Sequence, residues 1–298
     1  MPQPLSAPDE VSHIDRLRRR LALGLPLVLG AAVAAGWWRS QTPNRYDQII
    51  KRSVIRIGFA VEAPYALVRT DGRVSGEAPE VARLVAAMLG IRRIEWVLTS
   101  FDALIVDLLE ERFDLIAGGM FVTRDRAQIL RYCEPSLRVL PGFLVRTGNP
   151  RGIYYSYAQT VAAPGLRIAA VSGSVEARQL RDAGMPAERL FLVPDAPSGR
   201  AAVDSGLADG LALSYPAVRW MASHAPDRLQ AIPLAGHAAP VAYTASAVAE
   251  SEPQLWRAWN EAQAKVLGSD AHLQAIAPFG LDITDLPGQI GLKEILEQ

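Results

Sequence analysis

Cysteine, histidine and lysine are all scarce in this chain. Cys133 is the only thiol among 298 residues, so no internal disulfide can brace the fold and the chain must rest on its core. Cys133 itself reads as a small packed hydrophobe. The four histidines, His13, His224, His237 and His272, are scattered, with no H-E-x-x-H pattern and no paired cysteines, so the sequence gives no support to a metal site. It also lacks a P-loop and a G-x-G-x-x-G turn, and Ser172 and Ser174 around Gly173 do not make the G-x-S-x-G elbow of a serine hydrolase. No cofactor and no catalytic triad is expected. No long run carries one sign of charge, and 31 basic residues balance 31 acidic ones, which argues against nucleic acid as a partner. Lys51, Lys265 and Lys293 are the only lysines, so arginine is the default cation and a single arginine says little by itself.

Half of the residues are apolar and 21% are charged, enough for a sizeable core over a length that suits two domains. The first 38 residues stand apart. Arg16, Arg18, Arg19 and Arg20 precede the apolar run Leu21–Ala35, and Ala32-Val33-Ala34 offers the small-x-small pattern of a signal peptidase site. Extending the run through Trp38 approaches the ~20 residues of a membrane span, so an uncleaved anchor is the other reading of this segment. Either one exports the body to a periplasmic or extracytoplasmic location. No cysteine follows the run to carry a lipid.

The body alternates strand and helix. "VIRIGFA" is β-branched and apolar, "APEVARLVAAMLG" has helical spacing up to Gly90, "RIEWVLTS" is a strand, "FDALIVDLLEER" an amphipathic helix, and "FDLIAGG" a short buried strand. The pattern resumes with "LRIAAVSGS", "VEARQLRDAG", "RLFLVP", "SGRAAVDSG" and "DGLALS". Such alternation predicts an α/β class with parallel sheets. Two extended apolar pieces, "VLPGFLVRTGNP" and "APVAYTASAVA", predict a chain that leaves one lobe, builds a second and returns. Residues 46–142 with 243–290 are therefore assigned to the first lobe and 143–242 to the second. The tail reads as helices packing back on the first lobe, with Trp256 and Trp259 in the core.

Glycines at 118–119 and the "SGS" at 172–174 fall at strand ends, where an α/β sheet presents unpaired N–H groups to a ligand. In "AGGMFVTRDR" bare backbone, an aromatic ring and arginines come together, a set that suits a small zwitterion.

The segments "VIRIGFAVEAPY", "DGRVSGEAPEVARLVAAMLG", "FDLIAGGMFVTRDRAQ" and "SGLADGLALS", in this order, resemble the amino-acid-type periplasmic solute-binding proteins of ABC importers, known as family 3. The resemblance runs from about Val54 to Gly280. It implies a type II two-lobed fold with two hinge strands and a ligand cleft between the lobes, a binding protein and not an enzyme, and ABC permease subunits as partners of a monomer. The arginine of the family's Thr-x-x-Arg falls on Arg126, which would clamp a ligand carboxylate through its planar fork. Gly119 would assist through its N–H, Gly173 and Ser174 would reach the same carboxylate from the second lobe, and Thr123 would fix the loop. Ser214 stands where ordinary members place an Asp for an α-ammonium group. Phe121, Phe101 and Tyr65 suggest an aromatic box for a delocalised cation, and Glu62 would pair with that cation. Together with "GEAPEVAR", these residues look like the subgroup binding ectoine and hydroxyectoine. Glu80 reads as a helix N-terminal charge. Two alternatives stand beside this reading: a binder of a polar amino acid using Ser214 and Glu62, and an exported dehydratase of cyclic carboxylates of the prephenate or arogenate type with Glu62 as general acid.

Overall fold

The computed structural model describes residues 44–153, 156–234 and 241–297. The expected targeting segment, His13 and His237 lie outside them.

A helix at Arg45–Arg52 leads into β1 (Val54–Phe59), whose Ile55 and Ile57 are fully buried. Gly58 in this strand is needed for packing, because a Cβ there would sit 2.3 Å from the Phe113 ring. A small hairpin, β2 (Leu67–Val68) with β3 (Val74–Ser75), precedes the helix Glu77–Met88. That helix buries Ala78, Val81, Ala82, Val85 and Ala86 at helical spacing and ends at Gly90, whose φ of 72° is left-handed. Glu80 in its first turn pairs with Arg83 and accepts from Ser75 Oγ at 2.8 Å. β4 (Arg93–Leu98) follows. The helix expected over 101–112 is only Leu104–Leu109, entered by a 3-10 turn at Phe101–Ala103 and stopped where Glu111 turns to a φ of 57°.

After β5 (Leu115–Ile116) and β6 (Leu130–Tyr132), the chain leaves the first lobe through β7 (Leu137–Val139). The second lobe holds β8 (Pro141–Arg146), β9 (Ile168–Val171), β10 (Leu190–Val193), β11 (Gly210–Ser214) and β12 (Leu229–Pro233). The chain returns through β13 (Ala242–Thr244), antiparallel to β7, and β14 (Ala247–Ala249). The first sheet has the order β4-β1-β5-β14-β6 and the second β10-β9-β11-β8-β12.

Neither sheet is parallel throughout, contrary to what the alternation predicts. β1 runs parallel to β4 and β5, but β14 is antiparallel to β5 and β6; likewise β8 is antiparallel to both β11 and β12. The cause is topological. β8 and β14 enter their sheets straight from the crossings, without a helix to reverse the chain, so they run against the βαβ strands. "PGFLVR" is thus a buried strand of the second sheet and not merely a connector. The sequence reading also missed β12 and the helix Tyr215–Ser223, although Ser214 as N-cap and Pro216 in the first turn mark that helix's start.

Helices Pro253–Val266 and Asp270–Ile276 pack against the helix Glu77–Met88. Trp259 is fully buried and donates to Gln263 Oε1 at 3.1 Å, while Trp256 Nε1 donates to the Tyr132 carbonyl at 2.7 Å. Cys133 is buried and free.

Glu77 is an exception in this apolar setting. It is fully buried at the start of its helix, and neither carboxylate oxygen has a hydrogen-bond partner. Burial pushes its carboxyl up to about 7; the Ser136 hydroxyl just ahead of β7 is 3.3 Å from Thr244 Oγ1. An unfolded chain loses this proton near the ordinary value of 4.5, whereas the folded chain keeps it to higher pH. The raised value therefore favours the fold at low pH, and that contribution fades as pH climbs from about 4.5 to about 7. Chemical denaturation of the wild type should show a fall of roughly 3 kcal/mol across this window from Glu77, and Glu77→Gln should remove that part of the slope. An unchanged slope would show that Glu77 is not buried as a free carboxyl.

Candidate functional site

Two strand-end loops face each other across the lobes. In the first lobe, the chain beyond β5 reaches Gly119, whose φ is 74° and whose missing side chain leaves room for Tyr65: a Cβ there would lie 2.6 Å from the Tyr65 ring. Tyr65 is fully buried and donates from its hydroxyl to Ser214 Oγ at 2.9 Å. Ser214 is the N-cap of the helix Tyr215–Ser223 and also accepts from Ala217 N. This bond joins first lobe to second. Burial, followed by the nearby Glu62 charge, pushes the Tyr65 phenol up.

Beyond Gly119 the loop carries Phe121 and Arg126. Phe121 bridges Thr244 on β13, and its carbonyl accepts from Tyr132 Oη at 3.0 Å. Thr123 Oγ1 accepts from Arg126 N at 3.3 Å, so Thr123 acts on the loop itself. The Arg126 guanidinium donates to the Phe121 carbonyl at 3.1 Å and, across the cleft, to the Gly173 carbonyl at 3.0 Å. It also lies 5.6 Å from the centre of the Phe101 ring, within cation–π range. In the second lobe Ser174 caps the helix Val175–Asp182 by accepting from Ala177 N at 3.1 Å.

These loops meet around a narrow cavity lined by Glu62, Phe101, Gly119, Phe121, Arg126, Ser174, Val175 and Glu176. Six of the nine residues singled out from sequence are thus brought to one place. The other three lie behind its wall. Gly173 offers its carbonyl to Arg126, while Tyr65 and Ser214 are occupied with each other beneath Gly119. The rings at the cavity are Phe101 and Phe121, and the Tyr65 ring packs against Gly119.

Sequence reasoning missed Glu176. It is buried in the first turn of the Val175–Asp182 helix, where it reads as an ordinary N-terminal acid. Its position two residues past the "SGS" strand-end loop was the available signal. Burial lifts its carboxyl to about 6 against the opposing pull of its own backbone N–H, the Arg126 charge and the Ser174 hydroxyl. Glu62 is raised well above the ordinary carboxylate value, first by burial and then by the Glu176 charge. The cavity therefore sets two carboxyl groups, one from each lobe, against a single guanidinium. In a larger recess around Arg45, Arg56 and Asp114 the buried acid is already answered, since Asp114 accepts from Arg45 Nε at 2.6 Å and Arg56 Nη2 at 2.9 Å.

A cleft between two α/β lobes joined by paired crossing strands is an arrangement for enclosing a small molecule, and comparison with known proteins agrees with it. The family model of bacterial extracellular solute-binding proteins, family 3, matches residues 55–277. The chain belongs to this family. The solute-binding protein is 35% identical over 168 residues to a probable amino-acid ABC transporter periplasmic-binding protein, y4tE, of Sinorhizobium fredii, covering 56% of this chain and 55% of that one. It is 28% identical over 145 residues to membrane-bound lytic murein transglycosylase F of Pectobacterium atrosepticum, covering 49% of this chain and 29% of the relative. The solute-binding protein thus spans about half the length of the first curated relative and less than a third of the second. Among solved structures, the crystal structure of EhuB in complex with hydroxyectoine aligns with a TM-score of 0.77 at 28% identity, covering 85% of this chain and 97% of that one.

Removing the buried phenol that bridges the lobes should have a measurable cost. Tyr65→Phe is expected to lower the unfolding free energy of the solute-binding protein by about 1 kcal/mol, because Ser214 keeps only its Ala217 partner. Urea denaturation with an unchanged midpoint would show that the bond contributes nothing.

Proposed function

We propose that the protein captures an ectoine-like zwitterion outside the cytoplasm and delivers it to an ABC permease. The observation that carries this reading is the meeting of Arg126, Phe101, Phe121, Glu62 and Glu176 at one cavity between the lobes. Arg126 and the Gly119 N–H serve the guest's carboxylate. Its delocalised cation lies against the two phenylalanine faces, between Glu62 and Glu176. An ordinary α-amino acid is less well served, since Ser214, in the place of the expected acid, is fully buried and already bonded to Tyr65 and Ala217. Closure of the lobes completes the site, because each lobe supplies one of the two acids. The protein acts as a monomer; residues 46–142 with 243–290 form one half of the clamp and 143–242 the other.

The raised carboxyls favour one second reading. A buried acid that holds its proton near neutral pH can serve as a general acid, so Glu62 could protonate the hydroxyl of a cyclic carboxylate, which departs as water while the ring carboxylate leaves as CO2 and its bonding pair completes the aromatic ring. Incubating purified protein with prephenate or arogenate decides it: release of an aromatic product establishes the enzyme, and unchanged substrate dismisses it.

Calorimetry with ectoine, hydroxyectoine, betaines and amino acids tests the binding reading. Ectoine-type compounds are expected to bind most tightly, and tight binding of ordinary amino acids alone would overturn the ligand assignment. Arg126→Ala should weaken binding at least about tenfold, the ~1.4 kcal/mol that one lost charge-assisted contact can carry; wild-type affinity in that variant would remove the carboxylate clamp. Because Glu176 must shed its proton to face a cation, affinity for the cationic guest should fall as pH drops through about 6, and Glu176→Gln should flatten this dependence. A pH-independent affinity in the wild type would exclude a charged role for Glu176.

A further inference from the structure

We infer that Arg124 is a positioning residue, through which the C-terminal helix Leu292–Glu297 holds the Arg126 loop in its binding shape. The inference rests on the reading of that loop as the ligand's carboxylate clamp. Arg124 points away from the cavity, and its side chain reaches the end of the helix: Nε donates to the Leu296 carbonyl at 2.6 Å and Nη2 to the Glu297 carbonyl at 2.7 Å. A planar guanidinium fork suits two neighbouring carbonyl oxygens, one N–H donor to each.

A second set of contacts seats the same helix independently. Leu292, Ile295 and Leu296 pack on the cluster that contains Met120 and Val122, and Phe101 and Ala127 pack on that cluster beside them. The helix therefore touches the loop at its apolar root and at its polar tip. The root has further ties of its own, since Val122 N donates to the Tyr243 carbonyl at 2.8 Å. The tip has fewer. Asp125 pairs with Arg178 of the second lobe at 2.5 Å, but this pair is largely exposed and spans the cleft, so it supports the loop only while the lobes are together. Arg124 anchors the tip to its own lobe. With that anchor the Arg126 guanidinium is already aimed in the open protein, and binding does not have to order it.

Hydrogen exchange and calorimetry on the full chain test this. The variants are Arg124→Ala, Arg124→Lys, a truncation lacking residues 292–298, and the truncation combined with Arg124→Ala. Without ligand, amides in 121–128 should exchange faster in Arg124→Ala and in the truncation while those of β1 stay protected. The combined variant should be no worse than the truncation, because both changes break one contact. Arg124→Lys, which keeps the charge but not the fork, should restore only part of the protection. With hydroxyectoine as probe, Arg124→Ala should bind about fivefold more weakly, a coupling of ordinary size. Unchanged exchange in 121–128, or additive effects in the combined variant, would overturn the strap. Faster exchange with affinity unchanged would overturn the positioning role. If the wild type does not bind hydroxyectoine, the ligand reading fails by itself and the exchange cycle still decides whether the strap exists. If the truncated chain does not fold, Arg124→Ala and Arg124→Lys decide between these outcomes.

Discussion

A guanidinium cannot give up its charge at any physiological pH, and in a cleft it must be answered wherever it goes. Arg126 is answered by carbonyls from both lobes and by the face of Phe101. Much else in the molecule follows from this. The loop must turn so that Phe121 presents its carbonyl inward, Tyr132 must hold that carbonyl from behind, and the strand-end loop of the second lobe must bring Gly173 within reach. The two buried carboxyls belong to the same balance. Glu176 gains part of its tolerance for burial from Arg126, and Glu62 is left with more of the desolvation cost.

The polar groups at the cleft are therefore arranged around the cation and not around one another. Tyr65 and Ser214 lie one layer deeper and are bonded to each other across the lobes, and the Tyr65 ring gives Gly119 its shape requirement. The side chains that line the cavity and the pair that joins the lobes are thus different groups in adjacent layers.

The fold was legible in the sequence where hydrophobic period and turn residues agreed. β1, the helix Glu77–Met88 with its glycine stop, and the strand-end glycines could all be read directly. What could not be read was orientation within a sheet. "PGFLVR" has the apolar character of any extended segment, and nothing local says that it inserts between β11 and β12. Register and direction come from long-range pairing, to which single-residue patterns are blind. The site divides in the same way. Arg126, Phe121 and Gly119 sit together in one decapeptide, so proximity in sequence revealed them. Glu176 faces Glu62 only after the lobes have met, and a first-turn acid on a polar helix carries no mark of that meeting. Tyr65 showed the opposite difficulty, being an aromatic beside the motif whose hydroxyl bonds to Ser214 of the other lobe. Arg124, two residues from Arg126, has no local mark of its contacts because its partner carbonyls lie more than 170 positions downstream.

The phenol of Tyr65 and the hydroxyl of Ser214 meet where neither has any accessible surface. Parting the halves of the clam would leave the Tyr65 hydroxyl without Ser214, while Ser214 would keep Ala217 N. Opening then has to admit water as it proceeds, at least along the path to that phenol.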